Sequence, residues 1–97
     1  MMLSIEFRIT EVNEWNTRNG FDINENMFEE KIFNVVNKLV NISDEYWDNY
    51  DVWYDRIYTV TYNLSKLIDS DKLEKIKENI ISIMEIDIEK IYTNNEN

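Results

Sequence analysis

Apolar and polar residues alternate at the start of the chain, with Leu3, Ile5, Phe7 and Ile9 set against Ser4, Glu6, Arg8 and Thr10. A period of two predicts a half-buried strand. From Glu11 to Gly20 no period is evident. Asn19-Gly20 is the one strong turn signal. It joins the first strand to a short second one at Phe21–Ile23, or else Glu11–Arg18 is simply a loop. Asn24 or Asn26 opens a helix, and Asn26, with Glu29 three residues on, has the form of a capping box. Phe28, Ile32, Val35, Val36, Leu39 and Val40 then recur at threes and fours, which predicts a helix to about Val40.

Ser43 is the next candidate N-cap. Tyr46, Tyr50, Trp53 and Ile57 follow at spacings of four, three and four, which predicts a helix from Asp44 to about Ile57. Residues 57–68 support two readings. Ile57–Tyr62 is β-branched and aromatic, which favours a strand, while Val60, Leu64 and Leu67 keep a helical spacing. Propensity favours helix then strand. Asp71 with Glu74 caps the last helix, whose apolar face is Leu73, Ile76, Ile80, Ile83 and Met84. Ile86, Ile88 and Ile91 either extend that helix, or Ile86-Asp87-Ile88 begins a final edge strand. Thr93–Asn97 is a polar tail, expected to be flexible. The expected fold class is α+β: a small antiparallel or mixed sheet, with Tyr58–Leu64 as a second strand, packed on about three helices. The alternative is a mostly α fold with an N-terminal β-hairpin.

At 97 residues and 43% hydrophobic content, the chain is expected to form a single domain over 1–97 with one modest core. It contains no Cys and no His, so thiolate zinc sites, disulfides and Cys–His catalysis drop out, and no cofactor or metal is expected. Gly20 stands alone, so there is no phosphate-cradling loop. Met1–Glu6 lacks a basic region and a long apolar stretch, which predicts no signal peptide, and no apolar run suits a membrane span. The expected location is cytoplasmic. Fourteen Ile and fourteen Asn with no Ala, Gln or Pro are the bias of AT-rich coding, as in a low-GC bacterium or its phages.

Twenty acids against ten bases leave a net charge of −10. Such a chain is repelled by nucleic acid and by anionic membranes, and attracted to basic protein surfaces. The excess concentrates in one place. On a helix, Asp44, Asp48, Asp51 and Asp55 would lie within about 60° of one another, opposite the aromatic stripe. No Lys or Arg interrupts Ser43–Asp55, and the first is Arg56. Like charges at these spacings destabilise a helix by about 0.2–0.5 kcal/mol per pair. An ordinary solvated face intersperses Lys, as the last helix does with Lys72, Lys75 and Lys77. A cationic partner would neutralise the row. Tyr50 and Trp53 are expected in the core. Trp47 and Tyr54, on the flank between the two stripes, have the character of interface anchors.

The stretch Asn49-Tyr50-Asp51-Val52-Trp53-Tyr54-Asp55, preceded by Tyr46-Trp47, resembles a short motif of the barstar-like ribonuclease inhibitors. The match spans fewer than ten residues, lacks the Gly usual in that motif, and leaves Glu11–Asn24 as an addition. The resemblance implies that Asp51 and Asp55 enter a ribonuclease active site, with Asn49 positioning the turn. It also implies the order strand, helix, short acidic helix, strand, helix, strand.

The expected function is a small, non-enzymatic inhibitor with no catalytic residues. Its partner-binding residues would be Asp44, Glu45, Trp47, Asp48, Asp51, Tyr54 and Asp55. The partner would be a basic, nuclease-type or CRISPR-type effector. The setting is either a phage anti-defence protein, such as an anti-CRISPR, or an immunity protein or antitoxin for a nuclease toxin. From a different class, a structural or assembly module, homodimeric through the aromatic strip, is the alternative. A carboxylate enzyme is disfavoured, because a convex row of acids offers no concave pocket.

Overall fold

The computed structural model describes residues 1–21, 27–43 and 56–94, and the backbone of 47–51. In chain order the elements are β1 (Met2–Arg8), α1 (Ile9–Arg18), α2 (Phe28–Asn37), β2 (Trp47–Asp51), β3 (Ile57–Asn63), α3 (Ser70–Met84) and β4 (Lys90–Asn94). The fold is α+β. Its four strands form one antiparallel sheet in the order β2-β3-β1-β4. Strand β3 is inserted between β1 and β2, and β1 between β3 and β4. Each helical crossover therefore skips one strand, which is the split β-α-β arrangement.

The period-two pattern of β1 places Leu3, Ile5 and Phe7 in full burial, and Tyr58, Val60 and Tyr62 of β3 share that face. All three helices pack against it, through Val12 and Trp15 of α1, Ile32 and Val36 of α2, and Ile76 and Ile80 of α3. Phe28 is the aromatic hub, with its ring 4.9 Å from Phe7, 5.5 Å from Trp15 and 6.0 Å from Tyr58, each pair edge-on. On the opposite face, the central strands bury a hydroxyl pair, Ser4 Oγ and Thr61 Oγ1, 3.2 Å apart.

Several boundaries differ from those predicted. The N-terminal hairpin does not form. Ile9 leaves the strand and opens α1, because Ile9, Val12 and Trp15 at spacings of three build a buried helical stripe. Asn19-Gly20 ends that helix instead of turning a hairpin. Gly20 has φ +80°, its N–H donates to Thr17 O at 3.0 Å, and the N–H of Phe21 donates to Asn16 O at 2.9 Å. These two bonds form a Schellman motif, in which the left-handed residue is normally glycine. Phe21 then stacks on Trp15, with centroids 5.9 Å apart.

Helix α2 begins at Phe28, and the expected cap at Asn26 lies outside the described residues, as do 22–23 of the expected second strand. Its last turn loosens beyond Asn37, where Leu39 and Val40 both donate to Val36 O. The cap of α3 is Asp69, whose Oδ1 accepts from the Lys72 N–H at 2.8 Å, two positions before the expected cap Asp71. Its buried face is Ile76, Ile80 and Met84 at spacings of four, while Ile83 is exposed. Ile86 does not begin a strand. It caps the core at 6% exposure, and β4 starts only at Lys90, so that Thr93 and Asn94 end a strand and do not open a tail. The ambiguous 57–68 segment resolves as strand β3 over Ile57–Asn63, which pairs with β1 along its whole length, and then as irregular chain from Ser65 to Ile68.

Candidate partner-binding site

Residues 47–51 of the acidic segment lie along one edge of the sheet. The chain is already beside β3 at Ile42, which bridges Leu64. Ser43 donates to Asn63 O from its backbone N–H at 2.8 Å and from its hydroxyl at 3.0 Å. The hydroxyl expected to cap a helix is thus committed to a strand twenty residues away. The chain then pairs again with β3 as β2, with Trp47 opposite Thr61, Asn49 opposite Thr59 and Asp51 opposite Ile57.

This corrects the predicted helix from Asp44 to Ile57. Over 47–51 the backbone is extended, and the helical stripe of carboxylates is not formed there. Two physical terms favour the strand. The aromatic residues suit a sheet, and an extended chain relieves the repulsion of acids stacked one helical turn apart. Asp48 and Asp51 are separated by about 10 Å along a strand, where a helix would have brought them one turn apart. Of the predicted binding residues, Trp47, Asp48 and Asp51 belong to β2, whereas Asp44, Glu45, Tyr54 and Asp55 lie outside the described residues.

Arg56, the first cation after the acidic run, precedes β3 with φ +51°. This left-handed conformation is unfavourable for a side chain larger than glycine. It is held by the first helix, since the Ile9 N–H donates to Arg56 O at 2.9 Å. The end of the β2–β3 connection is thereby tied to the start of α1.

A second acidic group was not foreseen. Glu11 and Glu14 of α1 face Glu85 and Asp87 of the α3–β4 connection across an open pocket of about 190 Å³ that also contains Arg18. Trp15 positions the two elements, its Nε1–H donating to Met84 O at 3.0 Å, and Arg18 Nη2 donates to Glu85 O at 3.1 Å. Arg8 pairs with Glu89 at 3.1 Å on the surface, a contact worth about 0–1 kcal/mol. Partial burial raises the Glu11 pKa above its ordinary 4.5, Asp87, Glu14 and Glu89 raise it further, and Arg8 opposes them. Glu85 is the other left-handed non-glycine residue, at φ +54°. Among the described residues no group of three or more acids is arranged to hold a metal ion. A helical signal was present in Ile9, Val12 and Trp15, with Glu11, Glu14 and Arg18 recurring beside them. The junction with residues 85–89 had none.

At the far edge of the sheet, β4 carries a cation in place of acids. Lys90 Nζ sits 4.7 Å from the centroid of the Tyr92 ring. Burial raises the Tyr92 pKa, as does its hydrogen bond to Glu6 on the neighbouring strand, while one to Ser4 opposes them. Among the described residues no helix is long and apolar enough to cross a membrane.

No family model matches the chain, and no curated protein or solved structure matches it either.

Proposed function

We propose that this chain is a non-enzymatic inhibitor that docks its acidic sheet edge on a basic, nucleic-acid-binding surface of a nuclease-type effector and so blocks access of nucleic acid. One observation carries the reading. Five acids and no cation occupy Ser43–Asp55, and the part of that run in β2 is the outermost strand of the sheet. An edge strand is open to a partner along its length, and its charge selects a basic one. The resemblance of Asn49–Asp55 to the barstar-like motif extends to the sequence only, since Asn49–Asp51 form a strand where the resemblance implies a short acidic helix; by that resemblance Asp51 and Asp55 are the central contacts. Trp47 and Tyr54 supply aromatic anchors beside the acids. The biological setting is a phage anti-defence protein, of which an anti-CRISPR is one kind, or an immunity protein or antitoxin.

The test is affinity capture of the effector from a bacterial lysate, followed by titration of its nuclease activity with the purified chain. Capture should weaken steeply with added salt and be competed by nucleic acid. The double variant D51K/D55K should neither capture nor inhibit, while unfolding at the same urea concentration as the parent. If the double variant retains its affinity, the proposal fails.

A further inference from the structure

We infer that β2 recognises its partner by strand addition, with an extended Lys/Arg-rich segment of the partner protein pairing antiparallel to Trp47–Asp51 and becoming a fifth strand of the sheet. The inference rests on the proposed function and specifies its mode of contact.

The backbone provides the first argument. Strand β2 pairs with β3 through one edge, and among the described residues no strand pairs with the other. Every backbone N–H and C=O along that edge needs a hydrogen-bond partner, either water or another strand. Five residues give a template of about 17 Å, an ordinary strand length.

Charge identifies the occupant. Edge strands are commonly guarded by Lys or Pro. The other edge follows this habit, since β4 begins with Lys90. Strand β2, with sequence Trp-Asp-Asn-Tyr-Asp, has neither. Its flanks add Asp44, Glu45 and Asp55, and no cation lies between Ser43 and Asp55. Two copies joined at β2 would set one acidic edge against another, and like charges across a strand pair are destabilising. A basic strand gains where a second copy loses. The acids thus guard against self-pairing and also select the partner. Backbone hydrogen bonds would supply affinity, and the carboxylates would supply specificity.

The test uses the intact chain and leaves its sequence unaltered. The probes are a blocked heptapeptide alternating Lys and Val, the same peptide N-methylated at alternate residues in each of the two frames, and a Glu/Val counterpart. Binding is read at low ionic strength by fluorescence anisotropy, with amide hydrogen exchange of residues 47–51 read in parallel. The expected result is that the Lys peptide binds and slows exchange in 47–51. Methylation in one frame should weaken it about tenfold or more, by removing the N–H groups that face the sheet, with the other frame within about twofold. The Glu peptide should not bind. If both methylated peptides bind as well as the parent, strand addition is overturned while recognition of basic chains stands. If the Lys peptide fails to bind but the captured effector still depends on Asp51 and Asp55, strand addition is again overturned and the inhibitor reading survives. Protection of 47–51 that rises with protein concentration and without peptide would assign the edge to a second copy, and would also overturn the inference.

Discussion

Two acidic regions of this molecule are assembled in different ways. Ser43–Asp55 brings five acids together by sequence alone, with no cation among them. Glu11, Glu14, Glu85, Asp87 and Glu89 come together only through folding, and they do so around Arg8 and Arg18. The second region is partly compensated: one guanidinium bonds a backbone carbonyl inside the pocket and another pairs with a carboxylate beside it, two cations among five acids. The first has no such compensation along its own stretch of chain. Charge with no cation in its own stretch, at an open sheet edge, suggests a partner, whereas charge interspersed with cations at a helix–loop junction suggests architecture.

The largest expected effect separates the two directly. D51K/D55K should lower affinity for the basic effector by about 100-fold or more, since reversal both removes attraction and introduces repulsion. E11K/E14K reverses the same number of charges at the assembled region and should change affinity by less than about threefold. Calorimetric titration of both variants against the captured effector checks this. Equal losses would mean that net charge alone steers the interaction and that the edge has no special standing.

A second comparison concerns what holds each region in place. Trp15 ties α1 to the end of α3 through Met84 O. Trp15→Phe keeps most of the buried ring but leaves that carbonyl without its donor, at a cost of about 1–2 kcal/mol. The urea midpoint should fall accordingly, with effector binding intact. Loss of binding in this variant would show that the assembled region also belongs to the site.

These two regions also show what was legible in the sequence. The charge run at 43–55 could be read from the sequence, and so could strand β1, because alternation is a local signal; for β3 the β-branched residues favoured a strand while Val60, Leu64 and Leu67 kept a helical spacing. The secondary structure of the run could not. Its helical spacing of aromatics was a genuine local pattern, but the bridge at Ile42 and the pairing of 47–51 with β3 overrode it. Asn19-Gly20 was recognised as a turn, yet the same left-handed glycine serves a hairpin or a helix end. Which one forms depends on whether Val12 and Trp15 find a core to bury against. The pocket of Glu11, Glu14, Glu85 and Asp87 depends on an antiparallel return of the chain some seventy residues later, and no local pattern announces that.

Each region also contains one residue held left-handed, Arg56 beside the acidic run and Glu85 in the pocket. Replacing either with glycine should relieve about 1 kcal/mol of backbone strain. Glu85→Gly should raise the thermal midpoint without affecting binding, because the Arg18 contact is to the backbone carbonyl and survives. Arg56→Gly should stabilise to a similar degree and also remove the cation nearest the acidic run, leaving binding unchanged or slightly tighter. A loss of affinity in Arg56→Gly alone would assign Arg56 a direct contact.

The smallest effect is a pH dependence confined to the assembled region. In the folded state partial burial, followed by repulsion from Asp87, Glu14 and Glu89, holds the Glu11 carboxyl above its ordinary pKa of 4.5. Between the ordinary and the raised value the folded chain binds more protons at this site than the unfolded chain does. Its contribution to stability therefore falls as pH rises through that window. Above the window the ionised carboxylate is a small net penalty. Glu11→Gln removes the ionisation, so the variant should be slightly more stable than the parent at neutral pH, the smallest difference among these variants because solvent screens the carboxylate. The difference should close as pH falls through 4.5. Arg8 opposes the shift, so Arg8→Met should widen the gap between parent and Glu11→Gln at neutral pH. Thermal melts of the four combinations across pH 4 to 7 measure this coupling as a double-mutant cycle. A Glu11→Gln gain that persists unchanged at low pH would show that it comes from something other than charge. The pocket's acids would then be compensated more fully than their geometry implies.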